Sequence, residues 1–397
     1  MKLRMRESKS METSFDYIIA GAGASGLSLA YHLNQAGLTA KRILLVDKVP
    51  KTTNDRTWCF WEAGQNPFEH LLYRQWRKLN FYAEGIAQPL AMGPYAYKML
   101  RGIDFYTFMN DWLAQQPNIT RLFGEVTGVS EGESGAKVCV NGTEYTAQFA
   151  FNSILAPHSP LPTPHSLTLL QHFTGWVIET EHDTFDPEAA TLMDFRAPQI
   201  NGGTCFVYTM PFSPRQALVE YTVFGTHLWP PDEYRRELRS YLSSVLKLDE
   251  YQIHEEETGV IPMTDAPFET RPSPHIVNIG TAGGRTKPST GYTFLRIQQQ
   301  AMQLANALKR TGQPNMTEAP TRFKRYDSIL LNVLAKHRRE GARVFAELYA
   351  RNPAWRIFKF LDEQTSLAED LQVMTSTHLP TFTKAAVDVA ARKLQRD

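Results

Sequence analysis

The chain is poor in cysteine, with three in 397 residues: Cys59, Cys139 and Cys205. They lie far apart, with no CxxC pair and no zinc-ligand spacing. A disulfide framework and a structural zinc site are therefore excluded, and a reducing cytoplasm fits. Long hydrophobic runs are also missing. No stretch of about 18 apolar residues occurs, which excludes a transmembrane helix. The N-terminal MKLRMRESKSMETS is basic but no apolar core follows it, so it does not read as a signal peptide. Met5 and Met11 are alternative starts, because the folded pattern begins only at Phe15. Charge of one sign is lacking too. The net charge is +1, which gives no polybasic surface for nucleic acid. Internal repeats and low-complexity segments are absent.

What remains is the composition of an ordinary folded protein, 42% hydrophobic and 21% charged. The length allows two domains, or one large core with an inserted part. FDYIIAGAGASGLSLAYHLNQAGL begins as a buried strand and turns into a helix, and RILLVD follows as a second strand. FYTFMNDWLAQQ reads as helix, and AKVCVNG and EYTAQFAFNSIL as strands. From residue 168 the pattern changes. LLQHFTGWVIET, ATLMDFR, TCFVYTMPFS and QALVEYTVFG are strand-like stretches divided by Pro- and Gly-containing turns, which predicts an antiparallel meander. PPDEYRRELRSYLSSVL, with Pro and acids at its start, predicts a helix. HIVNIG is a strand, followed by a glycine-rich turn and the helix TFLRIQQQAMQLANALKR; beyond Pro314 the chain reads as helical and aromatic-rich. The expected division is 15–165 and 266–312 for two segments of a nucleotide-binding part, 166–265 for an antiparallel-sheet part and 313–397 for a helical C-terminus.

Gly21, Gly23 and Gly26 form GxGxxG between an apolar strand and a helix, and Asp47 closes the next strand about 20 residues on. In that context Gly21 permits the tight turn, and Gly23 lets backbone approach a pyrophosphate at the helix N-terminus. Gly26 lets helix and strand pack closely, and Asp47 can accept from a ribose diol. A second glycine segment, Gly280, Gly283 and Gly284 between HIVNIG and the next helix, favours the longer dinucleotide FAD over NAD. A plain strand–turn–helix connection stays open as the other reading.

QALVEYTVFG poses a different question. Alternation puts Ala217, Val219, Tyr221 and Val223 on one face and Leu218, Glu220, Thr222 and Phe224 on the other. A charge on so apolar a strand is costly unless paired or protonated. Glu220 is thus either a satisfied structural acid or a proton donor held in an oily site.

Taken with NDRTWCFWE, PYAYKMLRGIDFY, FVYTMPFSPRQALVEYT, EETGVIPM and IGTAGGRTKPSTGYTF, these stretches resemble the bacterial lycopene β-cyclases, a family of carotenoid-pathway flavoproteins. The glycine fingerprint is common to many flavoproteins, whereas DRTWCFW and KPSTGYTF are more specific. The likeness covers residues 15–300 well, and the C-terminus only by layout. It implies an α/β, FAD-binding, Rossmann-like fold of the hydroxylase-like class, with an antiparallel-sheet substrate part and a helical C-terminus. It implies an intramolecular lyase or isomerase that closes the ψ-ends of lycopene to β-rings, through γ-carotene to β-carotene. FAD would work reduced, with NAD(P)H as a reductant not consumed stoichiometrically. One departure stands out: where many flavoproteins carry an Asp after the glycine of the second motif, this chain has Thr281.

The resemblance maps the general acid onto Glu220, and puts Tyr221 where relatives carry a second acid. Asp194 and Glu257 are further candidates, although Asp194 stands beside Arg196. Trp58, Phe60, Trp61 and Tyr292 are candidate cation-stabilising rings. Arg56 is expected to hold the pyrophosphate or the turn. Lycopene lives in the bilayer, so peripheral contact with the inner face of the cell membrane is expected. NPAWRIFKFLDEQT offers either an interfacial helix or a core-packed one. Rival readings are an FAD monooxygenase or prenyl reductase on an apolar substrate, and a non-catalytic carotenoid-binding flavoprotein.

Overall fold

The computed structural model describes residues 13–155, 165–200, 202–316 and 321–394, so the alternative starts Met5 and Met11 lie outside the described residues. Two seven-stranded sheets and a three-stranded one organise these residues. In the first large sheet, Ser14–Ala20 pairs in parallel with Ile43–Asp47 on one side and Thr143–Asn152 on the other. Ile119–Phe123 and Ile276–Asn278 extend this parallel core. The unbroken apolar runs YIIA and ILLV are what strands covered on both faces require. The helices Ala24–Gln35 and Phe294–Thr311 cover one face together, with Leu27, Leu33 and Leu304 in the same core as Ile19 and Leu45. The first glycine segment sits where Ala24–Gln35 begins, and the second lies in the loop before Phe294–Thr311.

The second large sheet runs Gln252–Thr264, Thr168–Glu179, Gln216–Gly225, Thr204–Pro211, Ala189–Asp194, Lys78–Ala83, Ile86–Leu90. The expected meander holds for Ala189–Asp194, Thr204–Pro211 and Gln216–Gly225, and its first strand departs from it. Thr168–Glu179 pairs with Gln216–Gly225 and Gln252–Thr264 rather than with the strand that follows it. Ala189–Asp194 pairs in parallel with Lys78–Ala83. That strand and its hairpin partner Ile86–Leu90 lie within 15–165, yet they belong to the second sheet. They cover an edge that would otherwise expose unpaired backbone groups.

Strand alternation decides what each face of this sheet meets. Val219, Tyr221 and Val223 pack with Trp176 and Tyr241 beneath the helix Pro231–Ser244. That helix starts with Pro at its first position and Asp232 and Glu233 in its first turn, which suits the positive end of the helix dipole. Leu218 and Phe224 point the other way, into a core shared with the C-terminal helices.

In the helix Ala354–Leu361 the inner residues follow the core-packed alternative. Ala354, Ile357 and Phe358 are buried, and Phe358 stacks on Trp61 at 4.7 Å. The apolar face of this amphipathic helix is already covered by protein. No helix among the described residues is long and apolar enough to cross a membrane.

Candidate active site

A cavity of about 520 Å³ joins the two large sheets. Gly23, Ala24, Ser25 and Arg56 contribute to its wall, as do Glu220, Glu257, Tyr208 and Tyr292. At the first glycine turn, a Cβ on Gly26 would fall 1.9 Å from the Gly21 carbonyl oxygen. Only glycine lets the helix start this close to the strand. Asp47 Oδ2 accepts from the Ala22 backbone N–H at 2.9 Å, so this carboxylate braces the turn from the neighbouring strand. The second glycine segment touches the first: a Cβ on Gly280 would lie 2.7 Å from the Ser25 side chain. Gly283 packs against the Asn278 carbonyl and Gly284 against Phe268. Thr281 lines the cavity.

These residues fit a dinucleotide cofactor. The space beside Gly23 is open, with nothing within 4 Å of where a Cβ would point. Arg56 has no ion-pair partner among the described residues. The Gln171 carboxamide oxygen is buried without a hydrogen-bond partner among them, and Gln171 also lines the cavity.

The acids lie on the sheet side. Glu220 is 8% exposed and accepts from Thr222 Oγ1, two residues along the same strand face, at 2.8 Å. Gly175, on the strand between, is directly opposite both Glu220 and Glu257. Residues directly opposite in a sheet share a face. The two glutamates therefore flank a position with no side chain and are close enough to interact across it. A Cβ on Gly175 would crowd Glu220 Cβ at 3.2 Å and Leu218 Cδ1 at 3.0 Å. Burial first, and then the Glu257 charge, holds the Glu220 carboxyl well above the usual carboxylate range. Burial also raises Glu257, but Thr57 Oγ1 donates to its Oε2 at 2.8 Å and partly offsets this. Burial thus favours a proton shared by the pair, and the Thr57 hydroxyl favours charge on the Glu257 side.

Aromatic hydroxyls and rings complete the wall. Tyr97 and Tyr292 hydroxyls are 3.0 Å apart, and Tyr208 joins them. Burial pushes all three phenols, and the Cys59 thiol beside them, well above their ordinary values, so they stay neutral. Trp58 lines the cavity and stacks on Phe294 at 5.4 Å. The loop bearing Tyr292 is tied to the C-terminal helices by buried charge. Lys287, 4% exposed, reaches Asp327 and Glu363 at 3.0 Å each, and Arg296 also pairs with Glu363.

Several expected site residues lie elsewhere. Asp194 is fully buried and does not line the cavity. It accepts from Arg196 and, at 2.6 Å, from the Tyr241 hydroxyl, because it closes a strand beneath the helix on the far face. Phe60 stacks on Phe294 at 5.1 Å inside the nucleotide-side core, and Trp61 packs between Tyr292 and Phe358. Neither lines this cavity. Tyr221 faces away from it, donating to the Pro198 carbonyl. Sequence reasoning passed over Gly175, Tyr97, Tyr208, Gln171 and Lys287. A signal existed for Gly175, since a glycine inside a strand often marks close approach.

The chain matches the family described as "Lycopene cyclase protein" over residues 16–389. It is 25% identical over 335 residues to the chloroplastic lycopene beta cyclase of Arabidopsis thaliana, covering 76% of this chain and 61% of that protein. The chain thus spans under two thirds of that relative's length. It is 23% identical over 304 residues to the lycopene beta-cyclase of Pantoea ananas, covering 72% of each. Among solved structures, a flavoprotein/dehydrogenase from Cytophaga hutchinsonii superposes with a TM-score of 0.61 at 13% identity, over 97% of this chain and 100% of that one. At that identity the likeness establishes the fold alone, which is the α/β fold of hydroxylase-like flavoproteins.

Proposed function

The chain belongs to the lycopene cyclase family, and from that premise we propose that it is a lycopene β-cyclase using FAD. The reaction is a non-redox, acid-catalysed closure of lycopene ψ-ends to β-rings, through γ-carotene to β-carotene. The observation that carries this reading is the carboxyl pair at Gly175, in one cavity with the dinucleotide turn.

Gly23 and the helix start at Ala24 would hold the pyrophosphate, Arg56 would add positive charge, and Asp47, which braces the turn, would accept from the ribose. When bound in its reduced form, with NAD(P)H as the reductant, FAD supplies electron-rich charge beside a cationic substrate. The chain's own residues do the proton work. Glu220 protonates C2 of the terminal isoprene unit, leaving a tertiary cation at C1. The C5=C6 pair closes the ring onto C1 and moves the cation to C5. Loss of the C6 proton forms the β-ring. An alkene is a very weak base, so the donor has to stay protonated and dry. Burial of Glu220 among Leu218, Phe224 and the three tyrosines favours both conditions. The Trp58 and Tyr292 rings add cation–π attraction, worth about 2 kcal/mol when desolvated.

Lycopene is delivered from a bilayer, so peripheral contact with the inner face of the cell membrane belongs to this reading. Leu155 and Val260 support it, being exposed apolar residues that also line the cavity.

Anaerobic incubation with lycopene liposomes, FAD and excess dithionite tests the reading. γ-Carotene and then β-carotene are expected over many turnovers, and in D₂O each ring should carry one deuterium at C2. Oxidation of one NADPH per ring formed would point to a reductase or an oxygenase instead.

A further inference from the structure

The ring-closing reaction needs a base as well as an acid, and nothing above assigns it. From the shared register of Glu220 and Glu257 at Gly175, we propose that Glu257 is the base that removes the C6 proton and hands it back to Glu220. This rests on the cyclase reading of the same site.

Chemistry constrains where such a base can be. C2, which gains a proton, and C6, which loses one, are both bonded to C1 in the closed ring. Acid and base must therefore serve two carbons that are only two bonds apart. Two carboxyl groups across a single missing side chain meet that demand, and an acid on another face of the sheet does not. Asp194 fails for this reason, being committed to Arg196 and Tyr241.

The cycle balances. Glu220 gives its proton to C2, and the C1=C2 pair becomes the new C2–H bond. The C5=C6 pair becomes the C1–C6 bond. Glu257 in its ionised form takes the C6 proton, and the C6–H pair becomes C5=C6. Transfer between the neighbouring carboxyl groups then returns the proton to Glu220, and no oxidant or reductant is consumed. Thr57 suits the base assignment, because a hydroxyl donated to Glu257 favours its ionised form. The apolar strand face and the neighbouring Glu257 charge favour the proton on Glu220 and outweigh the Thr222 hydroxyl that donates to it. Glu257 also lines a second cavity of about 260 Å³, with Arg101, His254 and Glu255. Glu220 lines only the first cavity among those described.

The test uses the FAD-loaded enzyme, reduced and anaerobic, with lycopene liposomes. Glu257→Gln should bind FAD with an unchanged spectrum and make β-rings about 10²–10⁴-fold more slowly. Rings formed in that variant should shift towards isomers with the double bond at C4 or on the C5 methyl carbon, because the C5 cation then loses one of its other neighbouring protons. A purely structural role for Glu257 would not change which proton leaves. If Glu257→Gln fails to fold, Thr57→Val decides. Losing that hydroxyl raises the Glu257 pKa, so the acid limb of kcat/KM should move to higher pH. β-Ring formation by Glu257→Gln within threefold of the parent with no new ring isomer, or an unmoved acid limb in Thr57→Val, overturns the assignment. A parent enzyme that leaves lycopene unchanged removes the underlying reading, and the base assignment with it.

Discussion

Gly175→Ala is the smallest change that addresses the acid pair. Gly175 does not have a positive φ, so alanine meets no backbone penalty there. The new methyl would sit 3.2 Å from Glu220 Cβ, 3.3 Å from its Cγ and 3.0 Å from Leu218 Cδ1. Carbon contacts prefer about 3.5–4.0 Å, so these groups have to retreat by roughly half an ångström or more. Overpacking of this kind costs about 1–3 kcal/mol. Replacing glycine returns about 0.4–1 kcal/mol by restricting the unfolded chain. The net loss of stability is then at most about 2.6 kcal/mol, which leaves a folded protein. Catalysis should suffer more, because a misplacement of about 1 Å can cost 10²-fold. Urea unfolding measures the first effect, and β-ring formation at saturating lycopene under reducing, anaerobic conditions measures the second. We expect kcat to fall about 10–100-fold with flavin binding intact, since both glycine turns lie on the other sheet. A Gly175→Ala enzyme with kcat within threefold of the parent would refute the claim that the missing side chain sets the geometry of the pair.

Four further outcomes are expected. Glu220→Gln should fold and bind FAD but form rings about 10²–10⁴-fold more slowly, as read by pigment chromatography. Gly23→Val fills the open space at the first turn and should abolish FAD binding, checked by flavin absorbance of the purified protein. Lys287→Met leaves Asp327 without its buried cation and should cost about 3–5 kcal/mol in urea unfolding. Asp362, raised by burial to about 6, binds a proton more tightly folded than unfolded. Its contribution is therefore full below about pH 4 and is lost as pH rises through about 6. Asp362→Asn should flatten the fall in stability across that window, by about 3 kcal/mol at most.

Local pattern in the chain was enough for everything that depends on near neighbours. GAGASG between YIIA and an apolar helix specifies a strand–turn–helix, because the glycines and the buried run act within a few residues of each other. Alternation in QALVEYTVFG specifies that Glu220 and Val219 face opposite ways, because the side-chain period of a strand is two. Alternation does not say which strand comes alongside or in what register, and a slip of one residue would reverse every face. Glu257 meets Glu220 only because Thr168–Glu179 lies between their strands and puts a glycine opposite both. The same limit explains the misplaced residues. Asp194 and Phe60 carried the right chemistry for a site, but the helix Pro231–Ser244 and Phe294 claimed their faces. Ala354–Leu361 has the amphipathic pattern of a membrane-surface helix, and that pattern is equally the pattern of a helix lying on a core. What occupies its apolar side, Trp61 from 297 residues earlier or a lipid chain, is settled by tertiary packing, because amphipathicity specifies a buried face without specifying its cover.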